Sequence, residues 1–122
     1  DAGDTPSLTA AIPRREGTHV VLASWGSGVD AALRAADELQ ADGLSAAVLD
    51  LVGLSPLDAA TLGEWVRATG RLVCVEAPEG GLSNRVLHTA LDQAFLYLEA
   101  PLASATASPQ GVAQAARRAI DY

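Results

Sequence analysis

A short β-type run, His19-Val20-Val21-Leu22-Ala23-Ser24, leads into Gly26, Gly28 and Ala31, and a helical pattern follows. The spacing is G-x-G-x-x-A after a strand. In a dinucleotide-binding turn such glycines let the backbone approach a pyrophosphate seated on the helix N-terminus. Asp50 closes the next apolar run about 20 residues on, where a ribose-binding carboxylate would stand. One reading of the chain is therefore a small nucleotide-binding module built on Gly26, Gly28, Ala31 and Asp50. The same residues support a plainer reading. Ser27 and Asp30 have the S-x-x-D spacing of a capping box, which would give the helix amides to protein oxygens. Asp30 would also repel a phosphate, and the nearest base, Arg34, stands a turn further on.

Elsewhere the chemistry-bearing residues are sparse. His19 and His88 have no H-x-E or paired-cysteine spacing around them, so zinc ligation is unsupported. His88 and Asp92, four residues apart on one helical stretch, read as a surface pair rather than part of a triad. Ser27 is not in a nucleophile elbow, because Trp25 stands two residues before it where glycine is required. No residue is assigned a catalytic, cofactor-binding or metal-binding role. Cys74, the single cysteine, lies inside the apolar run "RLVCVEA" and reads as an inert buried thiol in a reducing, cytoplasmic setting. Glu76, Glu79, Gly80 and Gly81 form a loop at the C-terminal edge of a strand, either a small-ligand or interface loop or a glycine-bearing turn with solvated acids. Trp25 and Trp65 are candidate interface anchors or, equally, fillers of a core poor in aromatics.

These positions need a scaffold, and the composition provides one. The 122 residues are 49% hydrophobic but only 4% aromatic, so one core must be built from Ala, Val and Leu. A net charge of −7, with all eight basic residues arginine, excludes nucleic acid as a natural partner. No apolar run approaches the roughly 18 residues of a membrane span, and no signal peptide is visible. The chain opens Asp1-Ala2-Gly3-Asp4 without methionine, which reads as a cleaved piece or one part of a larger protein. Strands are expected at 10–14, 20–24, 45–50, 72–76 and 102–106, and helices at 29–41, 59–68, 82–96 and 111–120. Val29, Leu33, Ala36 and Leu39 share one helical face, as do Leu82, Val86, Ala90 and Ala94. Continuous apolar strands such as "AAVLDLV" belong to a sheet covered on both sides. The expected class is a three-layer α/β/α sandwich with mostly parallel strands. Residues 1–9 read as a flexible N-terminal segment and 10–122 as the domain. In Ser55-Pro56-Leu57-Asp58 a hydroxyl is expected at the N-cap with proline next, and Ser108-Pro109 repeats the pattern.

Taken together, "SWGSGV", "VLDLVGLSPLD", "TGRLVCVEAPEGG" and "AFLYLEAPL", with "AAIPRREG" leading in, resemble the C-terminal domain of transketolase-like, thiamine diphosphate-dependent enzymes. The likeness is strongest to the beta subunit of the decarboxylating component of 2-oxoacid dehydrogenases. It implies a five-stranded mixed sheet with the first strand antiparallel, and a Gly-Ser-Gly turn that is not a nucleotide site. It also implies that thiamine diphosphate and its divalent metal are held by other domains, so that this domain binds no cofactor and serves the subunit interface. The implied partners are a chain carrying the cofactor domains and a second copy in a homodimer. A further implied partner is the basic binding domain of an acyltransferase component, docked at the acidic corner marked here by Glu99. Trp25, Trp65, Glu79 and Glu99 are then the partner-binding candidates. Val52 and Gly53 stand where the family commonly has Arg and Thr, and the family's Pro-rich segment after the fifth strand is missing. A stand-alone interaction module is the remaining alternative.

Overall fold

The computed structural model describes residues 10–52, 57–77 and 83–122, so the segment 1–9, the Ser55-Pro56 pair and Glu79 lie outside the described residues. Five strands form one sheet in the order β1-β3-β2-β4-β5. They are β1 (Ile12–Arg15), β2 (Val20–Ser24), β3 (Ala46–Asp50), β4 (Leu72–Glu76) and β5 (Ala103–Thr106). The last four run parallel, and β1 lies antiparallel on the edge of β3, with Ile12 opposite Asp50. The expected mixed α/β/α sandwich is the observed one.

Strand β2 sits at the centre, and all five of its residues are buried. Side chains alternate along a strand, so each strand feeds both faces. Val20, Leu22, Val48, Val73 and Val75 join one core with helices α1 (Gly28–Ala41) and α4 (Pro109–Asp121). Val21, Ala23, Leu49, Leu72 and Cys74 join a second with α2 (Ala59–Thr69) and α3 (Ser83–Ala94). Small residues let the layers approach: Ala32, Ala35 and Ala36 of α1 are fully buried against the sheet.

The helix starts follow local hydrogen bonding, with two corrections. At α4 the Ser108 hydroxyl accepts from the Gly111 N–H at 3.1 Å, the expected cap followed by proline. At α2 the expected Ser55 cap is replaced by Asp58, whose Oδ1 accepts from the Thr61 N–H at 3.2 Å. The carboxylate wins because its other oxygen accepts the Ala11 N–H at 2.9 Å, tying the approach to β1 to the start of α2. At α1, Ser27 occupies the N-cap position but makes no side-chain capping bond, and Asp30 pairs with Arg34 at 3.0 Å. The capping box is not formed. Helix α3 ends at Ala94, and a 3-10 turn, Phe95–Tyr97, completes the span expected to be helical throughout.

Burial raises the Asp58 pKa, but hydrogen bonds from Ala11 and Thr61 outweigh it and hold the carboxyl below its ordinary 3.8. A carboxylate with a depressed folded-state pKa stabilises above its unfolded value, and that contribution is lost as pH falls through the folded one. Asp58→Ala is expected to cost about 1–2 kcal/mol at pH 7 in urea unfolding. The difference from the parent chain should narrow as the pH is taken below 3.8.

Candidate interaction surface

The turn after β2 shows what its glycines are for. Gly26 takes φ +58, which turns the chain from strand to helix. A Cβ on Gly28 would lie 2.2 Å from Ser24 Oγ and 3.3 Å from the Ala77 backbone. Ser24 Oγ is itself fixed, donating to the Val75 carbonyl at 2.8 Å. This is the point where connections from β2 and β4 leave toward opposite faces, the usual ligand crevice of an open α/β sheet. Here it is closed by contact between α1 and the ends of β2 and β4. Asp50 is committed as well: its Oδ1 accepts the Val52 N–H at 2.9 Å, and Oδ2 lies 3.7 Å from Arg14. That bond holds Val52 at φ +63, an unusual conformation for a β-branched residue.

The other candidates are scattered. His19 Nδ1 accepts the Ser45 N–H at 2.8 Å and so serves the β2–β3 connection. His88 and Asp92 are both exposed and make no ion pair, so the expected surface pair is absent. Among the described residues no three His, Cys, Asp or Glu side chains converge to hold a metal. Cys74 is buried, and burial first, with Glu76 adding, pushes its thiol up to about 11 against a lowering bond to Ser83. Trp25 packs into the core with 9% exposure. Trp65 is half-buried and walls a groove of about 240 Å³ with Glu16, Gly17 and Glu64. Glu99 projects at the corner before β5, 3.4 Å from Arg71, while its N–H donates to the Gly70 carbonyl.

The most exposed large apolar surface was not singled out by sequence. Leu91, Phe95, Leu96 and Tyr97 are 40%, 65%, 88% and 55% exposed at the end of α3. Val86, Ala90 and Ala94 carry the buried face of that helix. Leu87, Leu91 and Phe95 form a second apolar stripe one residue further round, and that doubled stripe was the available signal. The 3-10 turn then leaves Leu96 and Tyr97 facing solvent. Contiguous exposed apolar side chains mark interaction surfaces.

A mixed sheet covered on both faces by helices, with its first strand antiparallel, defines a domain of the α/β/α class. Residues 9–121 match the family described as "Transketolase, C-terminal domain", and the chain belongs to it. It is 41% identical over 100 residues to the pyruvate dehydrogenase E1 component subunit beta of Bacillus subtilis, a match covering 80% of this chain and 31% of that protein. With the Rhizobium meliloti subunit of the same name it shares 39% over 90 residues, 72% of this chain and 20% of the relative. The chain thus spans less than a third of these curated relatives. A solved split-gene transketolase, described as an inactive beta4 tetramer, superposes with a TM-score of 0.81 at 25% identity. That superposition covers 94% of this chain and 42% of the other. A 2-oxoglutarate:ferredoxin oxidoreductase from Magnetococcus marinus shares the fold, with a TM-score of 0.67 at 14% identity over 98% of this chain and 21% of that one.

Gly28→Ala should lower stability by about 1–3 kcal/mol, as overpacking does, read as a fall in Tm. Removing the opposing hydroxyl in Ser24→Ala/Gly28→Ala should recover part of that loss, because the two groups are in contact.

Proposed function

We propose that this chain is the assembly and interface part of a thiamine diphosphate-dependent enzyme of the transketolase or 2-oxoacid dehydrogenase type, and is inactive alone. The observation that carries this reading is the exposed apolar end of α3, Leu91 to Tyr97, on a domain of the transketolase C-terminal family. The described residues do not fit thiamine diphosphate: the crevice at Gly28 is closed, and Asp30 would oppose a diphosphate at the α1 N-terminus. The cofactor and its divalent metal would then belong to partner domains. The same closed contact speaks against the nucleotide module.

The partner is a chain carrying the thiamine diphosphate-binding regions, docked on Leu96 and its neighbours, with half-buried Trp65, in its own groove beside Glu16 and Gly17, as a separate contact. Glu99, exposed and steadied by Arg71, is a contact for the basic binding domain of an acyltransferase component. Glu79, outside the described residues, is proposed as a partner contact on the sequence alone, and Trp25 supports the turn from within. Two copies would pair weakly, since a net charge of −7 on each repels until salt screens it. A cytoplasmic setting accompanies this reading, in keeping with one buried free thiol.

Affinity purification of the chain from its native source should recover a partner bearing the cofactor domains. Leu96→Asp should reduce that recovery about tenfold or more, because truncating an interface anchor commonly costs 2 kcal/mol or above. Its Tm should stay close to the parent's, as expected for a side chain 88% exposed. Repeated isolation of a lone monomer would overturn the proposal.

A further inference from the structure

The sheet has two edges, and they differ in kind. Edge strand β1 reads Ile12-Pro13-Arg14-Arg15 and has a register irregularity between Pro13 and Arg15. Proline, charge and bulges are the devices that prevent another strand from adding to an edge. Edge strand β5 reads Ala103-Ser104-Ala105-Thr106 and has none of them. It pairs with β4 in unbroken register from Val73↔Ala103 to Glu76↔Thr106, and Ser104 and Thr106 are exposed. Among the described residues nothing pairs along its other side, so backbone donors and acceptors are presented there.

Beside this strand lies a groove of about 190 Å³, lined by Leu102, Ala103, Ala115, Arg118 and Ala119 among others. Its rim holds a cation without a partner. Arg14, Arg15, Arg34 and Arg117 pair with aspartates, Arg71 with Glu99, and Arg67 donates to the Gln93 carbonyl. Arg85 is also engaged. Arg118 is exposed and, among the described residues, is the arginine with neither ion pair nor hydrogen bond.

We propose that β5 accepts an extended segment of a partner chain as a sixth strand, with an apolar side chain of that segment in the groove beside Leu102 and one carboxylate on Arg118. Strand addition draws affinity from main-chain hydrogen bonds and specificity from pockets for alternate side chains, and edge and groove supply one of each. The net charge of −7 disfavours further acids in that segment, so a single acid at the Arg118 position is the recognised feature. The proposal rests on the reading of this chain as an assembly part, and it assigns a second surface away from Leu96.

The probe is the peptide acetyl-Thr-Val-Thr-Asp-Thr-Val-amide, which sets Val and Asp on one face of the strand, titrated into the ¹⁵N-labelled chain beside its Asp→Asn analogue. Backbone amide signals of residues 103–106 should shift and exchange more slowly with solvent. The Asn analogue, or Arg118→Gln in the chain, should bind about tenfold more weakly, as expected for loss of a charge-assisted bond. Ser104→Lys, placed on the exposed edge, should abolish the shifts without changing Tm, and Ser104→Thr should preserve them. Absence of shifts at millimolar peptide, or binding left undiminished by the Asn analogue or by Arg118→Gln, would overturn the proposal. So would concentration-dependent protection of 103–106 without peptide, which would make a second copy the occupant. Recovery of the cofactor-domain partner through Leu96 is read separately, so either idea can fail while the other stands.

Discussion

Everything at the upper end of this domain depends on a missing atom. Because Gly28 has no Cβ, the first turn of α1 rests directly on Ser24 and Ala77, at the ends of the two central strands. The Ser24 hydroxyl bridges to Val75 and makes the contact rigid as well as close. In a related topology the same place would be a ligand crevice. A sheet whose crevice is spent on packing has its binding capacity elsewhere, on its flanks and edges.

That displacement organises the rest of the molecule. The helices divide two and two, each pair sealing one apolar face, and the charged residues are mostly occupied with one another across the surface. What is left uncovered among the described residues is local: an apolar turn at the end of α3, a plain edge at β5, and the half-covered Trp65 groove. Each lies on the outside of the molecule, apart from the two cores. Membership of the transketolase C-terminal family, in a chain spanning less than a third of its curated relatives, accords with such a division of surface.

The fold was legible because its signals are periodic. Runs such as Val20–Ser24 and Leu72–Glu76 are apolar throughout and become strands covered on both sides, and α1 shows its alanine face in the sequence. Single-residue signals fared less evenly. Gly26 and Gly28 gave a true glycine requirement whose reasons were a positive φ and a helix–sheet contact, which no local spacing distinguishes from phosphate approach. Ser27 stands where a cap is expected, yet Asp30 finds Arg34 instead. The cap of α2 is Asp58, whose second oxygen also holds the distant Ala11 N–H, and such tertiary support leaves no mark nearby in the sequence. The apolar end of α3 was hidden by its neighbours: two stripes on one helix look like a single broad core face until the helix tightens at Phe95.

The alanine-built core constrains how this chain can change over generations. Ala32, Ala35 and Ala36 lie fully buried against the sheet, so one enlarged side chain there would push a whole layer outward. Substitutions at such sites become tolerable only in compensating pairs, a residue shrinking on the strand as another grows on the helix. Surface positions carry no such coupling and drift singly. A lineage built this way keeps its shape while losing its sequence, as in the 0.81 superposition at 25% identity.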